Sequence, residues 1–168
     1  GSQDISIACE QRTLAYRIAN QLMSLRDSAP GHDQGDLLDQ MERDLNEWKS
    51  SSTYVLAAAM EHSNDETPQY SPFQFFQKAE EQRRPLDALA RQALSLYRGG
   101  AAGVGSLPEA VAQSAKSNTD SFLENLPNYS KLMSQGIGEL SSDFFADTSV
   151  KQDWAPVSYT HLRAHETE

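Results

Sequence analysis

Hydrophobic residues recur at intervals of three and four along four stretches of the chain, and polar segments separate the stretches. The second stretch has the most regular pattern, which extends over three heptads: Leu38, Met41, Leu45, Trp48, Ser52, Val55 and Ala59. Positions three and four residues apart share one face of an α-helix. The pattern predicts helices at residues 5–26, 36–61, 71–98 and 116–145.

Turn and capping residues separate these helices. Pro30 and Gly31 stop the first, and Ser71-Pro72 supplies an N-cap and a first-turn proline for the third. Pro85 falls inside the third helix, where it should kink or break it, and Pro127 should bend the fourth. The predicted inward face of the third helix consists of Phe75, Ala79, Leu86, Leu89, Ala93 and Leu96.

No stretch alternates apolar and polar residues as a strand does, and no internal repeat occurs. The fold class is therefore predicted to be all-α, an up-down-up-down antiparallel four-helix bundle. One domain is expected over residues 1–156, with its core at about 4–148. An even number of helices returns both ends to one pole, which suits a domain placed between two membrane spans.

Composition and net charge limit the classes of partner and of bound group that the chain can have. The 168-residue chain has a net charge of −10, which argues against nucleic acid and anionic membrane surfaces. One cysteine, Cys9, excludes an internal disulfide and a thiolate metal site. No apolar run reaches the roughly 20 residues of a membrane span.

Residues 157–168 are expected to stand outside the fold, because most of this segment resembles the translated read-through of a sequencing adapter. His161 and His165 lie four residues apart and imitate a metal-ligand pair. The adapter resemblance makes that pair an artefact, and no metal is predicted.

Enzyme motifs are missing from the sequence. The glycines at 99, 100 and 103 lack the Lys-Ser/Thr of a phosphate loop, and Cys9 has no histidine nearby. Four carboxylates of the second helix are predicted to form a solvated face: Asp39, Glu42, Asp44 and Glu47. We therefore expect neither an enzyme nor a bound cofactor.

Two arginines of the first helix flank its apolar face. At about 100° per residue the face centres near Ile18 and Leu25, with Arg12 on one side and Arg17 on the other. Periodicity alone assigns both arginines to the core edge, where their stems cover apolar surface.

The segment Ile5-Ser6-Ile7-Ala8-Cys9-Glu10-Gln11-Arg12-Thr13-Leu14-Ala15-Tyr16-Arg17-Ile18 resembles the first-helix box of PilJ-type sensor domains, a family that includes nitrate/nitrite sensors and chemoreceptors. The likeness extends over about residues 4–148, and the two arginines five apart are its specific part. It implies the periplasmic ligand-sensing domain of a bacterial transmembrane receptor: a chemoreceptor, a histidine kinase or a diguanylate cyclase.

The resemblance also implies a binding site. Arg12 and the position of Cys9, a glycine in the family, would bind a small anion such as nitrate where two first helices meet in a homodimer. Gln11, Tyr16 and Arg17 would support the site. Cys9 fills space that glycine leaves open, so another small ligand is the alternative to nitrate. The alternative function is a periplasmic helical scaffold or protein-interaction module, in which both arginines only pack.

Overall fold

The computed structural model describes residues 2–28, 33–61, 71–100 and 107–146. These residues form four helices: α1 (Ser2–Arg26), α2 (Gly35–Glu61), α3 (Pro72–Arg98) and α4 (Glu109–Ala146). No strand occurs among them. The predicted all-α four-helix bundle is confirmed. The expectation for residues 157–168 concerns residues outside the described part of the chain.

The observed helix ends lie within three residues of the predicted ones except at the start of α4. That helix begins at Glu109 and not at 116, and its first turns already reach the core, where Ala115 is fully buried. This segment is rich in alanine, the residue with the best helix propensity but with too small a side chain to mark an apolar face. The prediction missed it because it followed the large side chains from Phe122 onward.

Each helix packs against its neighbours in sequence, and α1 also packs against α4, so the four helices form a ring. Cross-helix hydrogen bonds follow the order expected of neighbours that run in opposite directions. Along α1 they are Asp4 with Tyr54 and Gln21 with Asp44 on α2, then Arg12 with Ser134 and Arg26 with Asp120 on α4. These pairs agree with the up-down-up-down order that we predict.

The core contains three side chains of the α2 heptad pattern, Leu38, Leu45 and Trp48, together with Leu86, Leu126 and Met133. Trp48 lies at its centre and is fully buried. Its ring meets the Tyr129 ring edge-on, with 5.3 Å between centroids, and lies 6.3 Å from the Phe122 centroid. Aromatic pairs favour such tilted geometry.

Both α3 and α4 continue through Pro85 and Pro127 as single helices, so Pro85 does not break α3. Two predictions about side chains are wrong. The buried face of α3 includes Phe76 and Arg83, whereas Phe75 and Leu89 are only half-buried. Asp44, predicted to be solvated, is 4% exposed.

The largest helix–helix interface joins α3 to α4. It depends on Gly136, because a Cβ atom at that position would stand 2.7 Å from Cε1 of Phe76. Phe76 is itself 2% exposed and has little room to retreat. A Cβ at Gly138, two residues on, would meet nothing within 4 Å.

We expect Gly136→Ala to lower the free energy of unfolding by about 1–3 kcal/mol, because overpacking outweighs the gain in helix propensity. Gly138→Ala is the matched control and should raise that free energy by about 0.5–1 kcal/mol through the same gain in propensity. Urea unfolding of the three proteins measures both effects. Equal stabilisation by the two alanines would show that α3 and α4 do not approach closely at Gly136.

Candidate functional site

A belt of buried polar groups crosses the bundle near its middle and connects all four helices. We call it the polar core layer; it consists of Gln11, Trp48, Ser52, Glu80, Arg83 and Tyr129. Polar groups in a core cost free energy unless they bond to one another, and here the bonds run between helices.

Arg83 is the charged centre of this layer and is 5% exposed. Its Nε and Nη2 atoms donate to the two carboxylate oxygens of Glu80 at 2.8 and 2.6 Å. Its guanidinium also lies 5.5 Å from the Trp48 ring centroid, within cation–π range. A second carboxylate, Asp87, approaches Nη1 to 3.6 Å.

The pair is electrostatically matched. Burial alone would lower the pKa of Arg83, but the hydrogen bond and charge of Glu80 raise it above its usual value. Burial alone would raise the pKa of Glu80, but hydrogen bonds from Arg83 and Ser52 lower it below 4.5. Both groups are therefore charged at neutral pH, as a buried bidentate pair requires.

The layer continues through backbone and aromatic groups to α1 and α4. Trp48 Nε1 donates to the Tyr129 hydroxyl at 2.9 Å, and burial raises the pKa of Tyr129. Gln11 Nε2 donates to the Trp48 carbonyl at 3.2 Å and to Ser51 Oγ at 3.0 Å. Gln11 was predicted to support an anion site; the structure gives it a buried place in the α1–α2 interface.

Arg12 lies at the α1–α4 interface, one turn along α1 from Cys9. An anion site between two first helices requires Arg12 on a face that is open in the monomer, but the residue is half-buried. Its Nη1 atom donates to Ser134 Oγ at 2.5 Å. Its charge reaches Tyr129, where it opposes the rise in pKa that burial causes. Cys9 is half-buried and packs against the core. Tyr16 is 47% exposed on the outer side of α1.

Arg17, which was predicted to support the anion site, is paired with a carboxylate on the neighbouring helix α2. Its Nε atom lies 3.1 Å from Asp44 Oδ2 on α2. Gln21 and Gln40 also donate to Asp44, at 2.7 and 2.9 Å. These three donors explain why a carboxylate predicted to be solvated is buried.

A crevice lined by Gln11, Ser52, Phe76, Glu80 and Tyr129, among others, is too narrow to admit a water molecule. Among the residues that the model describes, no three His, Cys, Asp or Glu side chains are grouped as metal ligands. None of the described helices is long and apolar enough to cross a membrane.

Sequence reasoning did not find Arg83 as a core residue. A signal was present, because Arg83 stands four residues after Ala79 and three before Leu86, on the same helix face. The sequence also showed two carboxylates that could pair with Arg83 within the helix: Glu80, three residues before it, and Asp87, four residues after it.

Comparison with known proteins found no match: no family model, no curated protein and no solved structure matches this chain.

Proposed function

We propose that this bundle is the extracytoplasmic ligand-sensing domain of a bacterial transmembrane receptor, and that it responds to a small anion at Arg12. The observation that carries the proposal is the placement of Arg12. The residue is half-buried at the α1–α4 interface, its Nη1 atom donates to Ser134 Oγ, and its charge acts on Tyr129 in the polar core layer.

An anion would compete with Ser134 for the guanidinium. A planar anion such as nitrate carries the opposite charge and can accept two parallel hydrogen bonds from the guanidinium, whereas Ser134 Oγ is neutral and accepts one. The exchange loosens the α1–α4 contact at Ser134 and adds negative charge near Tyr129. A ligand that favours one arrangement of helices shifts the population toward it.

The same proposal includes a homodimer formed through α1. Two Arg12 guanidinium groups about 4 Å apart would repel each other by about 4 kcal/mol at an effective dielectric constant near 20. A bound anion between them removes that repulsion and stabilises the dimer by mass action. The parent receptor, a chemoreceptor, histidine kinase or diguanylate cyclase, would carry the resulting helix shift through the membrane.

The test is calorimetric titration of the chain with nitrate, nitrite and small carboxylates, with sedimentation to follow dimer formation. We expect Arg12→Ala to abolish anion binding while the bundle stays folded, and Cys9→Gly to strengthen nitrate binding because it opens space beside the guanidinium. Arg43→Ala, which removes an exposed arginine on α2, is the control for loss of charge and should bind as the parent does.

The scaffold function has one observation in its favour, the narrow crevice at the polar core layer. It replaces the sensor proposal if Arg12→Ala leaves anion binding intact. The same conclusion follows if none of the three anions binds even to Cys9→Gly.

A further inference from the structure

Two helices of the bundle contain a proline in their interior. Pro85 in α3 and Pro127 in α4 each lack the amide hydrogen that would bond the carbonyl four residues earlier. Both prolines are exposed on the outer side of their helices. A helix bends most readily where a bond of its ladder is missing, so each helix has one weak point.

The two weak points lie at the same level of the bundle. Phe76 on α3 packs against Gly136 on α4. Nine residues forward from Phe76 is Pro85, and nine residues back from Gly136 is Pro127. Beyond them, Gln92 contacts Asn118, which fixes the pairing on the other side. That contact places Pro85 within about two residues of Pro127, or about 3 Å along the axis.

The charge contact that spans Pro85 also permits movement. Arg83 and Asp87 stand on either side of Pro85 in sequence, with Nη1 and Oδ1 3.6 Å apart. Neither atom has a hydrogen-bond partner among the residues that the structure describes. A charge attraction without a hydrogen bond depends weakly on distance and direction, so it tolerates a change in the angle between the two turns.

We infer that Pro85 and Pro127 form one hinge, shared by α3 and α4, about which the two ends of the bundle shift relative to each other. The α3–α4 interface is the largest in the bundle, and bends at different levels would separate its packed side chains. Bends at one level let the two helices move together. The hinge is independent of the sensor proposal and does not require a ligand.

Amide hydrogen exchange of the full chain, followed by NMR, tests the hinge. Amides flanking the two prolines, at residues 84, 86, 126 and 128, should exchange about tenfold faster than those at Ala79 and Ala93, because local opening concentrates where helix bonds are missing. Pro85→Ala restores a bond in α3 alone. We expect it to slow exchange at 126 and 128 on α4 as well as beside its own position.

Pro127→Ala is the reciprocal variant and should slow exchange at 84 and 86. Pro108→Ala is the control, because Pro108 is exposed and precedes α4, so its replacement restores no interior bond. Slowing confined to the substituted helix in both variants would mean two separate bends and would overturn the shared hinge. Equal protection beside the prolines and at Ala79 and Ala93 would overturn it too.

Discussion

Replacing Arg83 by methionine should lower the free energy of unfolding by about 3 kcal/mol, at the lower end of the range for breaking a buried ion pair. Methionine preserves much of the volume but removes the positive charge, which leaves Glu80 buried without its main partner. The loss stays at the lower end because Asp87 also bonds Arg91 at 2.9 Å and Glu80 also accepts from Ser52. Denaturant unfolding measures the loss.

The companion variant is Arg83→Met combined with Glu80→Gln. The glutamine can still bond Ser52 but carries no charge, so most of the loss should be regained, as when a buried pair is neutralised as a whole. The pH dependence adds a second readout. Because the folded pKa of Glu80 is lowered, its contribution to stability is present above pH 4.5 and is lost as the pH falls through the folded pKa.

As the pH rises from acid to neutral, the free energy of unfolding should therefore increase less in Glu80→Gln and in the double variant than in the parent. A single Arg83→Met variant within about 0.5 kcal/mol of the parent, the range of an ordinary surface substitution, would mean that the ion pair does not hold α3 in this position.

Leu45→Ala should cost about 2–5 kcal/mol of unfolding free energy through lost burial and the cavity that remains. Leu45 is 0% exposed in the middle of α2, one turn before the fully buried Trp48. Surrounding side chains can fill only part of the space. Leu37→Ala is the matched control, because it makes the same substitution on the same helix at a residue that is only half-buried.

The Leu37 variant should therefore lose clearly less stability than the Leu45 variant in the same urea titration. Equal losses in the two variants would contradict the burial that distinguishes them.

The sequence by itself determined the number of helices, most of their ends and the inward face of α2. Intervals of three and four are a local property of the chain, and they place Leu45, Trp48 and Met133 inward whatever the neighbouring helices do.

Only the tertiary structure decided which charged side chains are buried. Asp44 and Arg83 look like surface residues in sequence, and they are buried because other helices supply Arg17 and Gln21 for Asp44 and the Trp48 ring for Arg83. Such outcomes depend on partners distant in sequence, whose positions no local pattern encodes, whereas a helix and its apolar face depend on residues within a few turns.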